Sequence, residues 1–170
     1  KCLVFYHPDD PAALRAEQDA LLLEVWQACN KSGHELLLEV ILPENGPDKD
    51  KRHYHTMLEH FYQLGIKPDW WKLPPLSSAS WQQITALIER EDPWSRGILI
   101  LGLDAPSDKL RAGFAEAAAH PMIKGFAVGR TIFGQPSRRW MQGELSDEAL
   151  IEEVKRNYLT LIGYWREARR

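Results

Sequence analysis

The sequence predicts an α/β fold built on a parallel sheet, and three observations carry that reading. Glu35-Leu36-Leu37-Leu38-Glu39-Val40-Ile41-Leu42 and Gly97-Ile98-Leu99-Ile100-Leu101 are near-continuous apolar runs, the mark of strands covered on both faces. Stretches with apolar residues at helical spacing lie between such runs. The connections are short, so each crossover helix returns the chain to the same end of the sheet. In folds of this kind function sits at the C-terminal ends of the strands.

Taken in order, Lys1-Cys2-Leu3-Val4-Phe5-Tyr6 reads as the first strand. His7-Pro8-Asp9-Asp10-Pro11 is a turn, with Asp10 as the expected helix N-cap and Pro11 as the first helical residue. Leu14, Leu21, Leu22, Val25, Trp26 and Cys29 follow helical spacing up to a stop at Ser32-Gly33. The second strand is the run ending at Leu42, and residues 43–50 read as a polar loop. A second helix carries Tyr54, Met57, Leu58, Phe61 and Tyr62 and leads to a third strand at Trp70–Leu73. Ser77 to Ser80 offer caps for a third helix, with Trp81, Ile84 and Ile88 on one face. After the fourth strand, which closes at Gly102-Leu103-Asp104, an alanine-rich helix runs to about His120. Ile123–Gly129 is the fifth strand, Arg130–Gly134 a helical turn behind it, and Ser146-Asp147-Glu148 opens the last helix.

Composition narrows the function. A chain of 170 residues with 44% hydrophobic and 26% charged residues makes one domain with a core of its own. A net charge of -3 argues against nucleic acid or an anionic membrane as main partner. No apolar run reaches the ~18–20 residues of a membrane span. Cys2 and Cys29 are too few for a disulfide scaffold and lack metal-ligand spacing. Both lie in apolar stretches, so buried free thiols in a reducing, cytoplasmic setting are the expectation. Neither GxGxxG nor GxxxxGK[ST] is present. Seven tryptophans suit deep packing between layers or a cleft the size of a sugar.

Three polar side chains stand out against this background. In Gly65-Ile66-Lys67-Pro68-Asp69-Trp70-Trp71-Lys72-Leu73-Pro74-Pro75, Lys72 closes a strand behind two tryptophans and ahead of two prolines. Burial there disfavours the ammonium form, and a neutral lysine attacks carbonyls, as a Schiff-base enzyme requires. The competing reading is a lysine that lays its stem past core tryptophans to reach water. Glu39 is a carboxylate inside an apolar strand, so it must pair with a cation or take up a proton. Period-2 alternation puts Lys1, Leu3 and Phe5 on one face of the first strand, Leu37, Glu39 and Ile41 on one face of the second, and Trp70 with Lys72 on the third. Neighbouring strands lie about 4.8 Å apart, so a Lys1–Glu39–Lys72 row would satisfy the carboxylate and set a nucleophile beside an acid/base. A purely structural ion network would look the same.

Gly125-Phe126-Ala127-Val128-Gly129-Arg130-Thr131-Ile132-Phe133 reads as strand, tight turn and helix start with an arginine at the mouth. Free N–H groups beside a guanidinium make an anion site, although a packing glycine and a surface ion pair would also account for them. His53 and His55, two apart on a helix, face different directions. His7 with Asp9 and Asp10 could bind a metal, but a proline-bounded cap explains them too. Arg166 to Arg170 complement a helix C-terminus.

In this order the residues resemble the C-terminal half of class I aldolase barrels of the tagatose-bisphosphate aldolase type. Such barrels carry an inward lysine on the fourth strand, a glutamate in an L-L-E run on the fifth and the Schiff-base lysine ending the sixth. A glycine follows their seventh strand, and a G-F-x-x-G-R-x-I-[FW] phosphate loop follows the eighth. Lys1, Glu39, Lys72, Gly102 and Gly125 through Phe133 match those positions. More specifically, Lys1 through Pro11, Lys67-Pro68-Asp69-Trp70-Trp71-Lys72-Leu73, Gly102-Leu103-Asp104-Ala105-Pro106 and Gly125 through Gly134 are similar to the aldolase-like domain fused behind the sugar kinase 5-dehydro-2-deoxygluconokinase of inositol breakdown.

The resemblance covers essentially the whole chain. It implies a partial (β/α)8 barrel, residues 1–170 forming the five strand–helix units of strands four to eight and the C-terminal part of a larger domain. It also implies a lyase that cleaves 6-phospho-5-dehydro-2-deoxygluconate to dihydroxyacetone phosphate and malonate semialdehyde. Lys72, Glu39 and Lys1 would be catalytic, and Gly102, Gly129 and Arg130 would hold the substrate phosphate, with no metal or other cofactor. The implied partners are a phosphorylated keto-sugar acid and an N-terminal kinase domain. Five strands of a closed barrel leave edges exposed, so a homo-oligomer is expected. The alternatives are a non-catalytic phosphosugar-binding or kinase-associated domain, and a sugar-phosphate isomerase.

Overall fold

The computed structural model describes residues 1–43 and 52–170; from residue 44 on, the expected polar loop lies outside them. The elements are β1 (Cys2–Phe5), α1 (Ala12–Ser32), β2 (Leu37–Ile41), α2 (His53–Gln63), β3 (Trp70–Leu73), α3 (Ser78–Glu91), β4 (Gly97–Ile100), α4 (Ser107–Ala117), β5 (Ile123–Phe126), α5 (Arg130–Met141) and α6 (Asp147–Ala168). All neighbouring strands pair in parallel, and the sheet runs in chain order from β1 to β5. Five parallel strands alternating with helices is the arrangement of part of a (β/α)8 barrel. One row of the register runs across the whole sheet, Leu3 to Glu39 to Lys72 to Leu99 to Gly125.

The strands divide their side chains between two faces. Leu38, Val40, Trp71, Leu73, Ile98 and Ile100 point toward the helices and are fully buried. They meet Met57, Leu58 and Phe61 of α2, Ile84, Leu87 and Ile88 of α3, and Leu110 and Phe114 of α4 in one core. The alternate set, which includes Leu3, Phe5, Glu39 and Lys72, lines a cavity on the other face. Ser77 and Ser146 cap α3 and α6 by accepting from Ser80 N and Ala149 N, as the sequence predicts.

Three expectations change. Asp10 does not cap α1; its carboxylate accepts from His7 N at 3.1 Å, closing the turn on itself, and Pro11 holds the cap position. The helical turn behind Gly129 is a full helix of 12 residues with Pro136 inside it. Proline has no N–H to give the carbonyl four residues earlier, that of Ile132. Asn157 of α6 supplies the missing donor, its Nδ2 standing 2.9 Å from Ile132 O. Finally, Cys2 and Cys29, expected to be buried, are only partly so; on α1, Leu22 is buried while Leu14, Leu21 and Val25 are exposed.

Candidate functional site

The three side chains singled out on the strands converge. Lys1 Nζ lies 2.9 Å from Glu39 Oε2, and Lys72 Nζ lies 3.0 Å from Glu39 Oε1. Register explains the geometry, since Glu39 stands directly opposite Lys72 and Lys1 reaches it from one strand further out. Glu39 and Lys72 are largely buried, with side chains 9% and 14% exposed, whereas Lys1 is half exposed at 53%. Burial pulls the Glu39 carboxyl up, but the hydrogen bonds from Lys1 and Lys72 and the attraction of both ammonium groups hold it below its ordinary value. The carboxylate is therefore ionised at neutral pH.

The tryptophans do not surround the Lys72 amine. Trp71 turns to the opposite face, as alternation requires, where its Nε1 donates to Tyr62 Oη at 2.9 Å. Trp70 shares the face of Lys72, but its Nε1 donates to Glu35 at 2.9 Å. The aromatic residues on the cavity wall are Phe5 and Phe133. That cavity has a volume of about 300 Å³ and brings Lys1, Glu39 and Lys72 together with Gly102, Gly129 and Arg130. All six residues expected from the sequence thus share one cavity, which runs from Lys1 at the start of β1 across Glu39 and Lys72 to the glycines behind β4 and β5.

Each glycine has a local reason. A Cβ on Gly102 would lie 2.8 Å from Val128 Cγ1, so the tips of β4 and β5 approach this closely only with glycine there. A Cβ on Gly129 would come within 3.0 Å of the Phe133 ring. Gly129 sits at the N-terminus of α5, whose first N–H groups have no partner within the helix. Between the two glycines, Leu103 and Asp104 both adopt left-handed backbone, with φ of 46° and 60°. Ala105 N donating to Gly102 O and Thr131 Oγ1 donating to Ala105 O, each at 2.9 Å, hold that turn in place. Side chains pay for such a conformation in strain, and the residues that bear it here line the cavity.

Residues 1–169 match the model of the family described as "Uncharacterized protein conserved in bacteria (DUF2090)". The chain belongs to that family. No curated protein matches it. The matched residues of this chain include both the ion-paired row and the loop that carries Gly129 and Arg130.

Sequence spacing missed one cluster. His7, fully buried, has its ring 4.6 Å from that of His53, and both stand near Asp9. The potential ligand atoms of the three lie within 4.8 Å of one another. His7 Nδ1, however, accepts from Asp9 N at 3.1 Å, which leaves the ring proton on Nε2. A metal at Nδ1 would displace that bond, and one at Nε2 would require the proton to move onto the side facing the N–H. The β1–α1 turn meets the start of α2 at this point, and His7 Nε2 is buried there without a hydrogen-bond partner among the described residues. No helix among the described residues is long and apolar enough to cross a membrane.

Proposed function

We propose that this chain carries the Schiff-base site of a class I aldolase-type lyase acting on a phosphorylated keto-sugar acid, 6-phospho-5-dehydro-2-deoxygluconate. The observation that supports it best is the shared carboxylate, one oxygen on Lys72 and the other on Lys1, in a cavity that also holds Gly129 and Arg130. Lys72, having given up a proton, attacks the substrate ketone, and water leaves as the imine forms. The bond between the carbon next to the imine and the hydroxyl-bearing carbon beyond it then breaks. Its electrons move into the iminium, and Glu39 takes the proton of that hydroxyl. The products are dihydroxyacetone phosphate, released after the enamine is protonated and hydrolysed, and malonate semialdehyde. Lys1 keeps Glu39 ionised once Lys72 no longer carries its charge. Arg130 and the first N–H groups of α5 bind the phosphate.

A second reading, a phosphosugar-binding domain without turnover, is favoured by the openness of the cavity. Leu3 and Phe5 on its wall are 42% and 51% exposed, and enamine chemistry needs water kept out. Incubation with the keto-acid should release dihydroxyacetone phosphate, read through a coupled dehydrogenase. Saturable binding of the acid without any release would support the binding domain instead.

A further inference from the structure

Behind Arg130 lies a separate cavity of about 300 Å³ between the start of α4, one face of α5 and the middle of α6. Its most unusual residue is Arg138. Next to it in sequence, Arg139 is committed to carboxylates, 2.8 Å from Glu153 and 3.4 Å from Glu144. Arg111 and Arg96 likewise hold Glu167 and Glu35. Among the described residues the guanidinium groups of Arg138 and Arg130 have neither hydrogen bond nor ion pair, and both line this cavity.

The helix puts both on one side. Arg130, Gly134 and Arg138 are spaced by four, so they share one face of α5. Helical side chains lean toward the N-terminus, and Arg138 does so across Gly134. A Cβ at that glycine would sit 3.6 Å from Arg130 Cβ, 3.8 Å from Arg138 Nη1 and 3.9 Å from Asp104 Oδ1. Gly134 has no left-handed backbone to justify it, and glycine inside a helix is less stable than alanine. All three distances to that Cβ are ordinary van der Waals contacts, so Arg138 lies across this turn whether or not the position is glycine. Asp104 is near, yet forms no ion pair with either arginine, so the cavity keeps an excess of one positive charge. Ser107 and Gln135, also without side-chain partners among the described residues, add neutral donors to the same wall.

We propose that this cavity is an anion site for a phosphate-sized dianion, inorganic phosphate or the phosphate of a monoester, held between Arg130 and Arg138. Two guanidinium groups without acceptors match the oxygens of such a group. The site shares Arg130, Thr131 and Asp104 with the rim of the Lys72 cavity, so an anion held here competes for Arg130 with the phosphate of the proposed substrate, and Arg138 is the residue that belongs to this site alone.

The test is titration of the full chain with inorganic phosphate and, separately, glycerol 3-phosphate, followed by calorimetry and by amide NMR shifts. Arg138→Ala should weaken phosphate binding roughly ten- to a hundred-fold, and Asp104→Asn should strengthen it. Shifts at Ser107 and Gln135 support the site. Tighter binding of the monoester identifies an esterified ligand, and equal binding identifies free phosphate. Unchanged affinity in Arg138→Ala, no phosphate binding at all, or shifts confined to Val128 and Gly129 would overturn it.

Discussion

Glu39 and Lys72 stand opposite each other on adjacent parallel strands, with Oε1 and Nζ 3.0 Å apart. Lys1 occupies the other carboxylate oxygen, so one anion neutralises part of two cations inside a largely apolar sheet. Removing the anion should therefore cost more than removing either cation, because two ammonium groups would be left facing each other.

The pH dependence follows from the sign of the shift at Glu39. Its folded pKa lies below the ordinary 4.5, so its contribution to stability is complete above pH 4.5 and is lost as pH falls through the folded value. Denaturant unfolding of the parent should weaken over that acid range. Glu39→Gln should be less stable at pH 7, by about 1–3 kcal/mol, and should show a shallower acid slope. Parallel pH profiles for the two proteins would mean that Glu39 is not held as an ion.

Arg130→Ala should weaken binding of phosphorylated keto-sugars roughly ten- to a hundred-fold, given about 1.5–3 kcal/mol for a charge-assisted hydrogen bond. Unphosphorylated analogues should lose little. Equal losses for both ligand types, measured by calorimetry, would make Arg130 a structural residue.

The bond from Asn157 to Ile132 O replaces the one that Pro136 cannot make. Asn157→Ala should leave a poorly satisfied carbonyl and destabilise the chain by about 1–2 kcal/mol. Pro136→Ala in that background restores an N–H for the same carbonyl and should recover much of the loss. A strictly additive double-mutant cycle would show that the two residues are not coupled through Ile132.

The outer strands β1 and β5 have one unpaired edge each among the described residues, and Leu14, Leu21 and Val25 form an exposed stripe on α1. Uncovered edges and apolar stripes favour association. Light scattering on the 170 residues should give a mass above that of one chain. Leu21→Glu should lower it, whereas a monomer at all concentrations would show that these surfaces are self-sufficient.

Much of this was legible in the sequence because the side-chain period of a strand is two. Alternation alone put Lys1, Glu39 and Lys72 on one face, and the short connections made their strands neighbours. The same rule, applied to Trp71, shows why no tryptophan cage forms: neighbours in sequence lie on opposite faces. The helix at Arg130–Met141 was hidden because its pattern contains Gly134 and Pro136, and the residue that compensates for the proline comes from 21 positions further on, at Asn157. Asp10 looked like a cap because caps and tight turns favour the same residue types. The meeting of His7 with His53 depends on how the β1–α1 turn packs against α2, which no local spacing encodes. Arg138 was equally hidden, since which arginine meets a carboxylate depends on tertiary neighbours: Arg139 reaches Glu153, while Arg138 has no such partner among the described residues.

Reductive trapping locates the lysine that forms the imine. The protein would be treated with borohydride in the presence of the phosphorylated keto-acid or dihydroxyacetone phosphate, digested, and the modified peptide sequenced. A single stable adduct should form on Lys72, absent in Lys72→Met and much reduced in Glu39→Gln. An adduct on Lys1 or Lys124 with Lys72 unmodified, or no adduct at saturating ligand, would contradict that role of Lys72.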